Sequence, residues 1–173
     1  MSERIKIMIF SALGTALLAI CSWIMIPGPV PFTLQTFAVF ALLLVYEGGP
    51  ALISISLYLL LGTIGVPVFA GFTGGVGHIL GPTGGYLVGF LILAVVYQIM
   101  SHLSVKKAFK IVSLVTGLIC CYAFGTWWYV LVYGEGTVEE VGAVLMTCVV
   151  PFIIPDALKM VLAVLLSKRV RLQ

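Results

Sequence analysis

Charged residues are scarce in this chain. Asp, Glu, Lys and Arg together make up 9% of its 173 residues, against about 25% in ordinary soluble domains. With 62% hydrophobic residues and a mean hydropathy of +1.24, the composition excludes a soluble globule and leaves an integral membrane protein. Cysteine is sparse as well: Cys21, Cys120, Cys121 and Cys148 all fall in apolar runs without paired metal-ligand spacing. They read as small apolar side chains, and no metal site is expected. His78 and His102 stand alone, without spacing to other ligands. There is no G-x-x-x-x-G-K-[ST] and no strand–turn–helix setting for a dinucleotide, which excludes ATP hydrolysis by this chain. Nor is there a catalytic constellation, so an enzyme is not expected. A net charge of +3 does not point to nucleic acid, because the positive residues sit at the edges of the apolar runs.

What is present is a succession of those runs, and the expected fold is all-α: one membrane domain over residues 1–173, a compact bundle of six transmembrane helices. The spans are placed at about 5–26, 33–46, 50–64, 84–101 and 109–132, with a final segment ending near 167. The first resembles a signal peptide, with Arg4 and Lys6 before a long apolar run, but no small-x-small site leads into a soluble domain. It is long enough to cross a bilayer, for which roughly 20 apolar residues suffice. The second and third are short by that standard. Glu47-Gly48-Gly49-Pro50 is read as the turn between them, and Gly134-Glu135-Gly136 as the end of the fifth span. Pro151 and Pro155 break the last segment, because proline removes a helical hydrogen bond and disfavours helix at the residue before it. The expectation is a separate helix over 139–150 and a new one starting near Pro155, with Asp156 and Lys159 in its first turn.

Charge sets the orientation. Arg4 and Lys6 precede the first span, Lys106, Lys107 and Lys110 lie between the fourth and fifth, and Lys168, Arg169 and Arg171 follow the last. Six crossings with both termini cytoplasmic put all eight inside, as the positive-inside rule requires, and put Glu135, Glu139 and Glu140 outside. The connections 28–32 and 65–83 then share the outer side with the start of the last helix.

Thirteen of the fifteen charged residues lie at the termini or between apolar runs; Asp156 and Lys159 do not. Ionised groups at membrane depth are costly and usually mark a cavity or pathway. Three residues apart, they share a helical face and offset each other's burial. Two readings stand: a structural ion pair that locks helices, and a polar hook for a substrate. The connection from Gly65 to Thr83 is too apolar for a solvated linker and too rich in glycine for a regular helix. Irregular backbone at that depth must be buried by protein or line a cavity, which suits a Gly-rich outer lid over a pocket. His78 either faces that pocket or caps the lid. In the connection Pro27-Gly28-Pro29-Val30-Pro31-Phe32 and the residues after it, Thr33, Gln35 and Thr36 bring hydrogen-bonding groups to the start of an apolar helix. Ala12 and Ala16 in the first span form a small-x-x-x-small pair that lets another helix approach closely.

Four segments carry a resemblance when taken together. They are Pro29-Val30-Pro31-Phe32-Thr33-Leu34-Gln35-Thr36-Phe37, the run from Tyr58 to Gly71, Gly81-Pro82-Thr83-Gly84-Gly85-Tyr86, and Pro151-Phe152-Ile153-Ile154-Pro155-Asp156-Ala157-Leu158-Lys159. In this order they resemble the BioY family, the biotin-binding S components of energy-coupling factor (ECF) transporters. One departure is Ile154-Pro155-Asp156, where a Pro-Gly-Asp run is expected; another is His78, where no family pattern is clear. The resemblance implies a substrate-capture subunit in a bacterial or archaeal cytoplasmic membrane, working with a membrane-embedded coupling subunit and two ATPases. Biotin is then the substrate rather than a cofactor, and partner subunits hydrolyse the ATP. Ala12 and Ala16 become the face that docks on the coupling subunit. Asp156 and Lys159 become partners for the ureido group or the carboxylate, with Tyr86, Gln35, Thr33, His78 and Phe69 in the same site. Phe69, Phe72 and Tyr86 are read as its apolar walls. The rival class is a self-contained ion-coupled secondary transporter or channel for a small anionic solute, with the Asp156–Lys159 pair as its gate. Against it stand the lack of a second intramembrane ionisable group and of matching broken helices. A scaffold that only assembles partners would need no pocket.

Overall fold

The computed structural model describes residues 2–28, 30–46, 49–103, 106–134 and 137–170. Glu47, Gly48, Glu135, Gly136, Arg171 and Pro29, which enter the turn, charge and motif readings above, lie outside them. The described chain is α1 (Glu3–Trp23), β1 (Met25–Ile26), β2 (Phe32–Thr33), α2 (Gln35–Val45), α3 (Gly49–Thr63), α4 (Val76–Ile79), α5 (Gly84–Leu103), α6 (Lys107–Tyr133), α7 (Val138–Cys148) and α8 (Val150–Arg169).

Helices α1, α5, α6 and α8 are each long and apolar enough to cross a membrane. Their outward faces expose large apolar side chains, among them Met8, Ile99, Ile119, Leu131 and Leu162. A surface of this kind is stable against lipid and unfavourable in water, and the protein is a multi-pass membrane protein. The shorter α2 and α3 are apolar too. Helix α2 is almost enclosed, with Ala38 through Leu43 all buried. Its 11 residues rise about 16 Å, roughly half the hydrocarbon thickness of a bilayer.

Pairwise contacts give the helix directions. Helices α1 and α3 run parallel: Thr15 Oγ1 donates to the Ser54 carbonyl at 3.1 Å, and Trp23 Nε1 to the Pro67 carbonyl at 3.0 Å. Gly14 removes the side chain that would otherwise run into Ser54. Helices α5 and α6 run antiparallel and pack through small residues, with Gly85 under Trp128, Gly89 against Cys121, and Gly117 against Leu93. Close backbone approach of this kind is how helices gain van der Waals contact where lipid offers no hydrophobic driving force. Helix α8 runs parallel to α2. All the basic helix ends therefore gather at one end of the bundle, and the hairpin and the 65–83 connection at the other.

Three expectations need correction. The first helix stops at Trp23, and residues 25–26 and 32–33 pair as a two-rung antiparallel hairpin, so the chain is not wholly α. The last helix starts at Val150, not near Pro155: Pro151 lies in its first turn and Pro155 is inside it. The missing Pro155 N–H deprives only the Pro151 carbonyl of a partner, a loss that the packing of α8 on α2 and α7 outweighs. Asp156 and Lys159 consequently stand one turn deeper than expected. The 65–83 connection also contains the single helical turn α4. The separate helix before α8 is present as α7, closed at its start by a reciprocal capping box between Thr137 and Glu140.

Candidate functional site

A cavity of about 380 Å³ opens at the end of the bundle opposite the basic residues. That volume falls in the range of small-molecule sites, roughly 300–1,000 Å³. The hairpin, α2, the 65–83 connection, α5, α6, α7 and α8 all contribute to its wall, which is mostly apolar.

Its polar end is built by three helices. Asp156 on α8 is 1% exposed. Its Oδ1 accepts from Lys159 Nζ at 2.8 Å and from Thr36 Oγ1 at 2.7 Å; its Oδ2 accepts from the Tyr122 hydroxyl at 2.6 Å. Lys159 Nζ also donates to Thr36 Oγ1 at 3.0 Å. The ion pair follows from the i, i+3 spacing on one helix. Its rigidity comes from Thr36 at the start of α2 and Tyr122 in mid α6. A carboxylate offers about four acceptor positions and an ammonium three donors. Among the described residues three of the former and two of the latter are used, so each group retains one position for a ligand.

Beside this cluster, Thr33 and Gln35 form a second polar group. Thr33 Oγ1 donates to Gln35 Oε1 at 2.9 Å, and Gln35 Nε2 donates to the Tyr58 hydroxyl. Tyr86 lines the wall with its hydroxyl 3.3 Å from Thr126 Oγ1. Phe152 stacks on Phe32 at 4.2 Å and joins the hairpin to the start of α8.

The 65–83 connection lines part of the cavity with Ala70, His78, Pro82 and Thr83. Gly65, Gly71 and Gly75 have positive φ, which glycine adopts without strain, and the segment is tied down at several points. Gly75 N–H donates to the Gly62 carbonyl at 2.6 Å, and Trp128 Nε1 to the Gly81 carbonyl at 3.2 Å. His78 lines the cavity. Its Nδ1 is 3.2 Å from Thr73 Oγ1, whose own proton goes to the Ala70 carbonyl at 2.9 Å. Nδ1–H is therefore the donor and Nε2 the acceptor. Burial holds the imidazole below its usual range, which favours the neutral ring.

The structure brings together Asp156, Lys159, Tyr86, Gln35, Thr33 and His78 around one cavity. Phe69 does not join them. It is fully buried, edge-on to Tyr58 at 5.4 Å and stacked on His78 at 5.1 Å, and fills the space that Gly62 leaves open. Phe72 is largely exposed, stacked on Trp23 at 4.8 Å outside the cavity. Both aromatics hold the connection in place and neither forms the wall. Sequence reasoning missed Tyr122, whose only signal is a phenol in an apolar helix that needs a partner when buried. It also missed Cys121 and Cys148, which contribute to the wall. Ala12 and Ala16 lie on the exposed face of α1, away from the cavity, while Ser11, Gly14 and Thr15 face α3.

The arrangement can bind and orient a small molecule. A formally neutral Asp–Lys pair with one spare acceptor and one spare donor complements a compact neutral head that carries both N–H and C=O.

Comparison with known proteins gives concordant results. The family model described as "BioY family" matches residues 1–173. The chain is 39% identical over 172 residues to "Biotin transporter BioY" of Thermotoga maritima, covering 99% of this chain and 96% of that one. It is 40% identical over 144 residues to "Probable biotin transporter BioY" of Pyrococcus horikoshii, covering 83% and 82%. The crystal structure of an S-component for biotin from an ECF-type ABC transporter superposes with a TM-score of 0.84 at 24% identity, covering 100% of this chain and 95% of that one. At that identity the match speaks for the fold.

Proposed function

The chain belongs to the BioY family, and from that premise we propose that it captures biotin in the cavity at the end of the bundle away from its basic residues, as the substrate-specific subunit of an ECF-type transporter. The observation that carries the reading is the pair of buried Asp156 and mostly enclosed Lys159, held by Thr36 and Tyr122 at the polar end of an otherwise apolar pocket. The ureido ring of biotin presents N–H donors and a carbonyl acceptor. Asp156 Oδ2 accepts from a ureido N–H, and the spare Lys159 proton goes to the ureido oxygen. The apolar wall around Tyr86, Phe90 and Phe152 takes the thioether ring and aliphatic chain. The opposite orientation would bring the biotin carboxylate against Asp156, where like charges repel.

The six-crossing arrangement takes α1, α2, α3, α5, α6 and α8 as the crossings, with the hairpin completing the path of the short α2. Both termini are then cytoplasmic, the cavity opens outward, and the 65–83 connection acts as its lid. The exposed Ala12–Ala16 face of α1 is the surface for the membrane-embedded coupling subunit, and two ATPase subunits on the cytoplasmic side supply the energy.

An ion-coupled carrier is the weaker reading. Asp156 is already engaged by an ammonium and two hydroxyls, and among the described residues it is the one charged side chain that is buried. A proton would have no second carboxylate to reach. The test is reconstitution in vesicles. Biotin uptake should require the coupling and ATPase subunits and ATP, whereas binding to this chain should not. Uptake by this chain alone, driven by an ion gradient, would favour the carrier.

A further inference from the structure

If the polar pair takes the ureido ring, the carboxylate lies at the other end of biotin, where no Lys or Arg lines the cavity. The chain has no Lys or Arg anywhere from residue 7 to residue 105, and none from residue 111 to residue 158. Those two stretches contain the hairpin, the 65–83 connection, α7 and the first turns of α8, which together form the mouth. Lys159 is thus the cavity's one basic side chain, and it stands at the deep end beside Asp156. Among the described residues of the wall, His78 is the only other side chain that can become a cation. Its Nδ1–H faces Thr73, its Nε2 is an acceptor, and burial favours the neutral ring. The acidic side chains Glu139 and Glu140 stand at the same end of the bundle, at the start of α7.

An ionised carboxylate enclosed here without a cation would be strongly disfavoured. With no cation beside it, it is better solvated by water. The mouth supplies water: Pro27 and Gly28 in its rim are exposed, in contrast to the enclosed Asp156.

We infer that this pocket recognises biotin by its bicyclic head and leaves the carboxyl end outside, so that it takes carboxyl-modified biotins, the amide-linked ones in particular, as well as it takes biotin. The substrate class is then wider than the free vitamin. It includes neutral amides and esters and biotinyl-lysine, the compound that hydrolysis of peptide bonds releases from a protein biotinylated on lysine. The inference rests on the ureido placement proposed above.

The experiment is a competition titration on the purified full chain in detergent at pH 7, with labelled biotin displaced by biotin, biotin amide, biotin methyl ester, biotinyl-lysine and iminobiotin. We expect the first four to bind within about threefold of one another. Iminobiotin, whose ureido oxygen is replaced, should be weaker by about tenfold or more, the scale of one charge-assisted hydrogen bond. Amide and ester each weaker than biotin by about tenfold or more would overturn the inference, since that is the signature of a cation on the carboxylate. The same series on Lys159→Met separates the two placements independently. Equal weakening of biotin and its amide supports the inference. Weakening of biotin alone would assign Lys159 to the carboxylate and overturn it. Failure of unmodified biotin to bind the wild-type chain would instead overturn the functional reading from which the inference starts.

Discussion

Asp156→Asn preserves volume and replaces one carboxylate oxygen with an NH₂ group. The surroundings dictate how that amide must sit. Lys159 and Thr36 both donate to Oδ1, and Lys159 Nζ has no acceptor capacity, so the amide oxygen stays on their side. The NH₂ then falls at Oδ2, where the Tyr122 hydroxyl can turn and become the acceptor. A ligand N–H that needs Oδ2 meets another donor. The lost charge-assisted hydrogen bond corresponds to about 1.5–3 kcal/mol, or roughly 10- to 150-fold in affinity, before any repulsion between the two donors. Stability suffers as well, because removing one partner of a buried pair typically costs about 3–5 kcal/mol, with the partly accessible Lys159 favouring the lower end. Calorimetric titration of biotin into the purified variant measures the first effect; thermal melting and monodispersity measure the second. Lys159→Met should behave alike. The double variant decides between hook and lock. With no uncompensated charge left, it should regain much of the lost stability in either case. Its biotin affinity should stay low if the pair holds the ligand. Recovery of affinity to within about threefold of wild type would refute the reasoning and reduce the pair to a helix lock.

Other predictions test the remaining parts of the account. Ala16→Trp and Ala12→Trp place bulk on the exposed face of α1, away from the cavity, so biotin binding to the isolated chain should persist while uptake by the assembled transporter falls; joint loss of both would argue against a docking face. In Gly62→Ala the new methyl overlaps the Phe69 ring, and overpacking of this kind costs about 1–3 kcal/mol. Gly142→Ala on α7 meets nothing and should be neutral or stabilising by up to about 1 kcal/mol; equal melting temperatures for the two variants would contradict the packing beneath the 65–83 connection. In intact cells a membrane-impermeant maleimide should label Gly77→Cys and spare Lys107→Cys, and the reverse pattern would invert the topology together with the direction in which the cavity opens.

Much of this was readable in the sequence because membranes make charge placement costly. The clusters at Arg4 and Lys6, at Lys106 to Lys110, and at Lys168 and Arg169 gather at one end of the fold, and Asp156 and Lys159 stood out because nothing else charged lies in an apolar run. What the sequence concealed depends on contacts between distant segments. Tyr122 meets Asp156 across 34 positions and Thr36 meets it across 120, and no local spacing encodes either. A two-rung hairpin is too short to have a period, so Met25 and Thr33 gave no strand signal. Pro155 misled because a proline so near the start of a helix costs only one hydrogen bond, which packing against α2 outweighs. Phe69 resembled a ligand wall because aromatics in apolar loops often are; its partner turned out to be the gap over Gly62.

If the Asp156–Lys159 end of the cavity holds biotin, the purified chain must recognise biotin by itself. The most direct test is an isothermal titration of biotin into the detergent-solubilised chain, with no nucleotide and no partner subunit, run beside Asp156→Asn at the same concentration. Saturable binding at one site per chain is expected, with the variant weaker by at least about tenfold. No binding by the wild-type chain, or wild type and variant binding biotin equally well, would contradict it.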